Sequence, residues 1–227
     1  MTAPGTSAAP AAPASASWTG QTGRPTRLLL LRHGQTAMSA QRRYSGRGDP
    51  ELTALGLSQA AAVASAIKTV EDTSEVAAAL CSPLRRARQT AEPVAAALGV
   101  EVTPHDGLLE TDFGDWDGLT FAEARARNPE VHGRWLGDDT VPAPGGESFA
   151  DVGVRVATLR DELLATYAGQ TVLLVSHVTP IKMLLRQALD GGPSILFRMH
   201  LDLASLSIAE FYPDGGASVR LVNMRFS

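Results

Sequence analysis

The sequence predicts an α/β protein, a three-layer α/β/α sandwich built around a mostly parallel mixed sheet. Short apolar runs at 27–31 and 172–175 have the continuous hydrophobicity of strands that are buried on both faces. Longer stretches that begin with helix-capping residues separate such runs, and this strand–helix alternation is typical of α/β folds. Near the C-terminus two apolar runs flank a Pro-Asp-Gly-Gly turn at 213–216, which indicates a hairpin and therefore some antiparallel pairing.

The individual elements follow from local signals along the chain. Strands are expected at 27–31, 76–81, 100–103, 172–175, 206–211 and 219–222, and helices at 53–68, 82–98, 148–167 and 180–189. Thr53 is placed to cap the first of these helices. Ser82, followed by a proline, is expected to begin the second. Ser148 and Asp151 have the spacing of a capping box for the third.

Composition excludes several functional classes. The 227 residues carry 20 Lys and Arg against 24 Asp and Glu, a net charge of −4, which does not suit a broad nucleic-acid-binding surface. The single cysteine, Cys81, allows neither an intrachain disulfide nor a Cys-x-x-Cys metal pair, and we expect it to be a packed thiol. No apolar run reaches the roughly 18 residues of a membrane span. We therefore expect a cytoplasmic protein without membrane association.

The chain divides into a short tail and one domain. Of the first 23 residues, 20 are Ala, Pro, Ser, Thr or Gly and none is charged. Such a segment cannot bury enough surface to offset chain entropy, and it lacks the basic start and Leu-rich stretch of a secretory signal. Residues 1–24 are therefore predicted to be a disordered tail or an interdomain linker. Residues 25–227 show no internal repeat and are predicted to form a single domain.

Two histidines follow two of the predicted buried strands. His33 comes after the strand at 27–31, and His177 after the strand at 172–175. Because ligands of open α/β sheets bind at the carboxyl ends of the strands, these side chains are expected to face each other across one crevice. Gly34 removes a side chain where a ligand approaches the backbone, and Arg32 adds planar donors suited to phosphate or carboxylate. The alternative is that each histidine is a hydrogen-bonded loop residue.

Charged residues elsewhere indicate an anion site. Arg85, Arg86 and Arg88 lie at a predicted helix start, whose amides already attract anions, although at least one of the three is expected on a solvated face. The loop at 109–118 carries four acidic residues. These carboxylates could bind a hard cation, or Glu110 could donate a proton beside a bound phosphate. Because the sequence has no metal-binding motif here, proton donation is favoured. The Pro-Gly-Gly-Glu-Ser turn at 144–148 is a weaker candidate for the border of a site.

Five motifs in order carry a resemblance to a known family. They are RHG at 32–34, SPLRRARQT at 82–90, LxExxFGxWxG at 108–118, PGGES at 144–148 and VSH at 175–177. In this order, over about residues 26–226, the sequence resembles the histidine phosphatase superfamily, the phosphoglycerate mutase-like group. Three longer segments most resemble the α-ribazole phosphatase-like C-terminal domain of bifunctional ribonuclease H/acid phosphatase proteins. They are LLLLRHGQT, RRYSGRGDP and SHVTPIK. That resemblance implies a linker role for the tail and a ribonuclease H domain preceding it in a longer protein.

The resemblance implies roles for particular residues. His33 is the nucleophile that forms a phosphohistidine, Arg32 and Arg86 hold the phosphoryl oxygens with a further bond from His177, and Glu110 exchanges protons with the leaving group and water. No metal or cofactor is implied. Substrate contacts are expected from Gly34, Gln35, Thr36, Ser39, Ser45, Gly46 and Val178. Arg86 is preferred to Arg85 because it precedes Ala87 in the Arg-Ala pattern of the family.

The implied activity is that of a metal-independent acid phosphatase acting on a small phosphate ester, with α-ribazole 5′-phosphate as the first candidate. A dianionic phosphate beside Glu110 disfavours the ionised carboxylate, so an acidic pH optimum is expected. Val178-Thr179-Pro180 stand where the family often has glycines, which predicts a bulkier pocket wall. Ser39 stands where the mutases of the family carry Asn, and their basic segment is not recognisable after 119, so a phosphatase is favoured over a mutase.

Two alternatives and several further side chains complete the analysis. A phosphoglycerate mutase-type transferase and a non-catalytic phosphate-binding module remain open as alternatives. The joint presence of all five catalytic candidates argues against the binding module, namely Arg32, His33, Arg86, Glu110 and His177. A nuclease is excluded for this chain because no acidic residue precedes Arg24 to hold metal ions. His105 is expected at the rim of the site, and His132 and His200 in structural or surface positions. Four aromatic residues are each expected either to line the leaving-group pocket or to pack in the core, namely Tyr44, Trp116, Phe121 and Trp135.

Overall fold

A computed structural model of the chain describes residues 21–70, 73 and 75–226. Most of the predicted tail, residues 1–20, lies outside the described residues. Within them, no helix combines the length and the apolar character that a membrane span needs.

The centre of the molecule is a six-stranded sheet. In chain order the described strands are β1 (Thr26–Arg32), β2 (Val76–Cys81), β3 (Val102–Pro104), β4 (Thr171–Ser176), β5 (Leu206–Phe211) and β6 (Ala217–Met224). Their order across the sheet is β3-β2-β4-β1-β5-β6. The first four are parallel, whereas β5 runs antiparallel to β1 and pairs with β6 in the predicted hairpin. The prediction of a mostly parallel mixed sheet is confirmed.

Helices cover both faces of this sheet. They are α1 (Ala37–Ala40), α2 (Ala54–Ala66), α3 (Arg85–Leu98), α4 (Phe121–Arg127), α5 (Pro129–Trp135), α6 (Phe149–Thr166), α7 (Val178–Ala188) and α8 (Ile195–Arg198). Successive side chains of a strand point to opposite faces, so β1 contributes to two cores. Leu29 and Leu31 pack with α2 and α3, while Leu28 and Leu30 pack with α6 and α7. This arrangement is the predicted three-layer sandwich.

The predicted caps differ in outcome. Thr53 caps α2, and Ser148 forms a capping box with Asp151 at the start of α6, as expected. The prediction that Ser82 begins α3 is wrong, because the amide of Ser82 still bonds to the carbonyl of Val175 and α3 starts only at Arg85. The Arg85 amide donates instead to the carboxylate of Asp49, 2.6 Å away and 36 residues earlier in the chain. A cap supplied over that distance leaves no local sequence signal.

Element boundaries also shifted at several places, among them β6, which extends two residues beyond the predicted strand at each end. Strand β3 begins two residues later than expected, at Val102, and α7 begins at Val178 rather than at 180. In α7 the proline lies within the first turn, where its missing N–H costs no helical hydrogen bond. Helices α1, α4, α5 and α8 were not predicted; each has seven residues or fewer, which gives little periodic signal.

Candidate active site

The two predicted histidines meet where β1 and β4 end. These strands are parallel neighbours with Arg32 opposite Ser176, so the residues that follow them, His33 and His177, emerge side by side. Their ring centroids are 5.1 Å apart, and both side chains are buried. The expectation that they face each other is confirmed, and the reason is strand adjacency, which the sequence does not encode locally.

His33 is held as a neutral imidazole with a free nitrogen. Its Nδ1 lies 2.7 Å from the carbonyl oxygen of Gly34, and because a carbonyl only accepts, Nδ1 carries the proton. Burial, with the charges of Arg32 and Arg86, holds the pKa of His33 well below its usual value of 6.5. The ring is therefore neutral, and Nε2 presents a lone pair.

His177 has the opposite tautomer. The Nε–H of Arg86 donates to its Nδ1 at 3.2 Å, so the proton of the neutral ring is on Nε2. Burial and the charge of Arg86 lower the pKa of His177 well below 6.5. Nε2 is buried and has no hydrogen-bond partner among the described residues. A buried donor without a partner costs free energy, so this N–H is suited to an acceptor that the ligand brings.

Two arginines provide charge beside the histidines. Arg86 is fully buried, and its other bonds go to the carbonyls of Ser45, Gly46 and Gly48 at 2.8–3.0 Å. Arg32 bonds to the carbonyl of Leu201, while its Nε is buried without a partner in the described part of the chain. Burial lowers the pKa of Arg32 to about 10 against the opposing charges of Glu110 and Asp202, so it stays charged at neutral pH. The exposed neighbour Arg85 pairs instead with Glu51 at 2.7 Å.

Glu110 faces the same space from the loop at 109–113. One carboxylate oxygen, Oε1, accepts from the amides of Thr111 at 2.8 Å and Thr179 at 3.3 Å. The residue is only 6% exposed and lines the cavity described next. Two amides thus fix one oxygen of a nearly buried carboxylate and leave the other available to a ligand.

A cavity of about 1040 Å³ opens above these groups. Arg32, His33 and Glu110 form part of its wall. Six aromatic side chains in the described part of the chain line this cavity, namely Tyr44, Phe113, Phe121, Trp135, Phe149 and Phe197. Their rings are in mutual contact, with Tyr44 stacked on Phe121 at 5.2 Å and edge-on to Trp135 at 5.8 Å. The site therefore joins a cationic, hydrogen-bonding end to a large aromatic chamber.

The residues that build this site belong to a recognisable family pattern. The model of the histidine phosphatase superfamily (branch 1) matches residues 28–224, which include every group described above. The chain belongs to the histidine phosphatase superfamily.

Individual members of the superfamily are similar over most of this chain. The bifunctional protein Rv2228c of Mycobacterium tuberculosis is 59% identical over 211 residues, which are 93% of this chain and 57% of that protein. The chain thus spans little more than half the length of that relative. The structure of mycobacterial glucosyl-3-phosphoglycerate phosphatase Rv2419c with VO3 matches with a TM-score of 0.77 and 31% identity, covering 87% of this chain and 98% of that one.

A further neighbour is a putative alpha-ribazole-5′-P phosphatase from Escherichia coli, with a TM-score of 0.77 and 27% identity, covering 88% of this chain and 97% of that one. Named phosphatases thus share both fold and sequence with the chain. The predictions of a phosphoglycerate mutase-like fold and, at the level of enzyme class, of a phosphoric monoester hydrolase are confirmed.

The substrate contacts expected for this histidine phosphatase divide into two groups. Four of the seven residues line the cavity, namely Thr36, Ser39, Ser45 and Val178. The Oγ of Ser45 is buried without a partner among the described residues, like the Nε2 of His177. The other three, Gly34, Gln35 and Gly46, are not among the cavity-lining residues.

Those three residues take part in packing around the site. A Cβ on Gly34 would lie 2.6 Å from the carbonyl oxygen of Gly56, so this glycine allows α2 to pack closely on the backbone. The side chain of Gln35 accepts from the hydroxyl of Thr53 at the start of α2. A Cβ on Gly46 would lie 2.3 Å from the carbonyl oxygen of Thr111. The glycines thus allow backbones to pack closely around the site.

Other predictions about single side chains are also resolved. Tyr44, Phe121 and Trp135 line the cavity, whereas Trp116 is fully buried in the core. Cys81 is a buried thiol whose pKa is raised by burial to about 11. His132 is buried against the hydroxyl of Tyr44, 3.1 Å away, as a structural residue. His105 is not at the rim, because its Nδ1 accepts from the amide of Gly107 at a helical turn outside the cavity.

Sequence reasoning missed five polar residues of the cavity, namely Arg42, Arg43, Lys182, His200 and Asp202. His200, expected in a structural or surface position, lines the cavity and lies 3.2 Å from Asp202, which also lines it. Lys182 lines it from α7, donates to the carbonyl of Leu196 at 2.6 Å, and has a pKa lowered by burial. Lys182 lies one turn beyond the VSH motif, and that spacing was the available signal; His200 and Asp202 lie in a loop with no motif.

Proposed function

We propose that the chain is a metal-independent phosphatase that hydrolyses phosphate monoesters through a phosphohistidine on His33. One observation carries the proposal. A neutral His33 with its Nε2 lone pair free lies beside two donors that have no partner among the described residues, the Nε of Arg32 and the Nε2–H of His177. A nucleophile surrounded by unsatisfied donors suits a tetrahedral anion, whose developing charge those donors stabilise.

In the first step, the Nε2 of His33 attacks phosphorus in line with the ester oxygen. A P–N bond forms, the P–O bond to the leaving alcohol breaks, and the carboxylic acid of Glu110 gives its proton to the departing oxygen. Arg32 and His177 donate to the phosphoryl oxygens throughout the transfer. Arg86 contributes through its charge and by fixing the tautomer of His177.

In the second step, water attacks the phosphohistidine. The carboxylate of Glu110 takes a proton from the water, an O–P bond forms and the P–N bond breaks, so that inorganic phosphate leaves and His33 regains its lone pair. Both steps use groups within this chain, and neither calls on a metal. Because the histidine pKa values lie well below 6.5, His33 remains a nucleophile at mildly acidic pH, which supports an acid phosphatase.

The aromatic chamber supports an ester with a flat apolar leaving group. Six aromatic side chains beside the phosphate end suit a ring system better than a small polyol. The first candidate therefore remains α-ribazole 5′-phosphate, which joins a benzimidazole to a ribose phosphate. A cytoplasmic role in cobalamin nucleotide-loop assembly would follow from that substrate.

The length of the relatives supports one further proposal. The chain covers 57% of a relative that carries the name bifunctional protein. We propose that this domain follows a ribonuclease H domain in a longer protein. The test is a ribonuclease assay on the longer protein and on this chain, and cleavage of an RNA–DNA hybrid by this chain alone would contradict the division of labour.

The test of the main proposal is phosphate release from a panel of esters at pH 5 to 8 in EDTA. The panel contains α-ribazole 5′-phosphate, 3-phosphoglycerate, a sugar phosphate and p-nitrophenyl phosphate. We expect turnover by the wild type, at least a 10³-fold loss in His33→Ala, and wild-type rates in Leu57→Ala, an exposed position outside the cavity. Loss of activity in EDTA, or activity that survives in His33→Ala, would overturn the mechanism.

The same samples separate hydrolysis from its alternatives. Conversion of 3-phosphoglycerate to its isomer without phosphate release would indicate a mutase. A folded wild type that binds phosphate and turns over no ester would indicate a binding module.

A further inference from the structure

We propose that the ion pair between Glu147 and Arg155 is a positioning device for Glu110 and thereby sets the rate of proton transfer to the leaving group. The proposal rests on the acid–base role of Glu110 given above. Neither member of the pair lines the cavity, so their effect on the reaction would pass through the loop that carries Glu110. The Pro-Gly-Gly-Glu-Ser turn, which sequence analysis left without a definite role, would gain one through its glutamate.

Arg155 holds the Glu110 loop by its main chain. From α6 its guanidinium donates to the carbonyl of Gly107 through Nη1 and to the carbonyl of Glu110 through Nη2, both at 3.0 Å. A planar fork that bonds two carbonyls three residues apart fixes the orientation of the segment between them. This contact reaches the backbone of Glu110 itself and leaves its carboxylate free for chemistry.

Glu147 holds Arg155 and the other end of the loop together. Its two oxygens accept from the Nε and Nη2 of Arg155 at 3.2 and 3.3 Å. One of them, Oε2, also accepts from the amide of Asp112 at 2.9 Å and from Arg47 at 3.2 Å. The amide of Glu147 donates in turn to the carbonyl of Asp112. The segment from Gly107 to Asp112 is thus held on both sides of Glu110 by one partly buried charge pair.

The charges of this pair persist over the working pH range. Burial alone would raise the pKa of Glu147, but bonds from Arg155 and the Asp112 amide, with the charges of Arg155 and Arg47, outweigh it and hold the pKa below 4.5. The carboxylate is therefore ionised between pH 5 and 8, and the arginine is always charged. The pair acts as a fixed clamp throughout the assay range.

Positioning matters here because Glu110 has few other restraints on its backbone. Its Oε1 is held by the amides of Thr111 and Thr179, so the direction of Oε2 depends on where the main chain puts the carboxylate. The hydroxyl of Ser176 bonds to the carbonyl of Leu108 and keeps that part of the loop in place without the clamp. Loss of the clamp should therefore displace Glu110 without unfolding the loop.

The experiment compares two esters in four single variants and one double variant. Arg155→Gln and Glu147→Gln remove the clamp, Glu110→Gln is the reference, and Arg160→Gln is the control. Arg160 is on the same helix, pairs with Asp161 and has a side-chain exposure of 24% against 21% for Arg155. The quantity measured is kcat/KM, which reports steps up to phosphoryl transfer, for p-nitrophenyl phosphate and for an alkyl phosphate such as glycerol phosphate.

Both clamp variants should lower kcat/KM for the alkyl ester roughly ten- to hundred-fold, because a shift of about 1 Å in a catalytic group costs that much. The value for p-nitrophenyl phosphate should change less than threefold, since nitrophenolate leaves without a proton. Arg160→Gln should change neither. Combining Arg155→Gln with Glu110→Gln should add no further loss, because both act through one group.

The outcomes separate the two proposals. If Glu110→Gln lowers kcat/KM equally for the two esters, Glu110 is not the general acid. The positioning proposal then fails together with the acid–base role on which it rests. When Glu110→Gln does discriminate between the esters but the clamp variants slow both equally, the pair is merely structural and the positioning proposal is overturned. Thermal unfolding of every variant shows whether a loss of folded protein accounts for a uniform decrease.

Discussion

The Nε–H of Arg86 donates to the Nδ1 of His177, and this bond determines which nitrogen of the histidine carries its proton. Arg86 cannot accept and is charged, so His177 must present Nε2–H and remain neutral. His33 is in the reverse state, because its Nδ1–H donates to the carbonyl of Gly34. Two neutral histidines of opposite tautomer, one a nucleophile and one a donor, therefore lie side by side.

The bond between Arg86 and His177 predicts different outcomes for two adjacent arginines. Arg86→Lys should lower kcat about 10²-fold. Lysine has no Nε–H to fix the tautomer of His177, and it lacks the planar guanidinium that bonds the carbonyls of residues 45, 46 and 48. The substitution should also destabilise the protein by about 1–3 kcal/mol, since those carbonyls lose partners. Steady-state kinetics and urea unfolding measure the two effects. Arg85→Lys, at an exposed site, is the control and should change each by little; equal losses in the two variants would contradict the assignment.

The buried histidines predict a loss of stability in mild acid. Below pH 6.5 the unfolded chain binds protons at His33, His177 and His132 that the folded state does not, since burial lowers the folded pKa of each. The free energy of unfolding should therefore fall as pH decreases from about 6.5, by up to about 1.4 kcal/mol per pH unit for each histidine. His177→Asn should reduce this slope by about a third.

Urea unfolding at pH 7, 6 and 5 measures this slope. The range stops at pH 5 because lowered carboxyl pKa values, such as that of Glu147, add their own loss below 4.5. An identical slope in the wild type and in His177→Asn would show that His177 is not buried as a neutral ring.

The contact between Gly34 and α2 predicts a cost of adding a single methyl group. Gly34→Ala would place a Cβ 2.6 Å from the carbonyl oxygen of Gly56, and because backbone cannot yield cheaply, the variant should lose about 1–3 kcal/mol. Gly133→Ala is the matched control, since its helical site has no atom within 4 Å. It should gain about 0.5–1 kcal/mol. Urea unfolding compares both; a neutral Gly34→Ala would mean that α2 moves freely.

The aromatic chamber predicts a specificity change that leaves the chemistry intact. Phe121 lines the cavity yet is 51% exposed, so Phe121→Ala should fold normally. It should raise KM for α-ribazole 5′-phosphate about tenfold, the worth of one lost aromatic contact, and leave glycerol phosphate unchanged. The control is Leu57→Ala on α2, with an exposure of 50%. An equal rise in KM for both esters would show that Phe121 does not select the leaving group.

Much of the fold was determined by local sequence. Four consecutive leucines in β1 can be buried only if the strand has a core on each side, so the three-layer arrangement followed from that run and the helices around it. The caps at Thr53 and Ser148 were visible because each bonds to an amide three residues away. His33 and His177 were recognisable as site residues because a strand end is a feature of local sequence.

Tertiary structure alone decided how those residues are used. Strand order placed β4 beside β1 and so brought the two histidines within 5.1 Å of each other. The partners of Arg86 are carbonyls about 40 residues earlier in the chain, and the cap of α3 comes from Asp49. Periodicity and capping act within one or two turns of chain, whereas tautomers, clamps and cavity walls depend on which distant segments the sheet brings into contact.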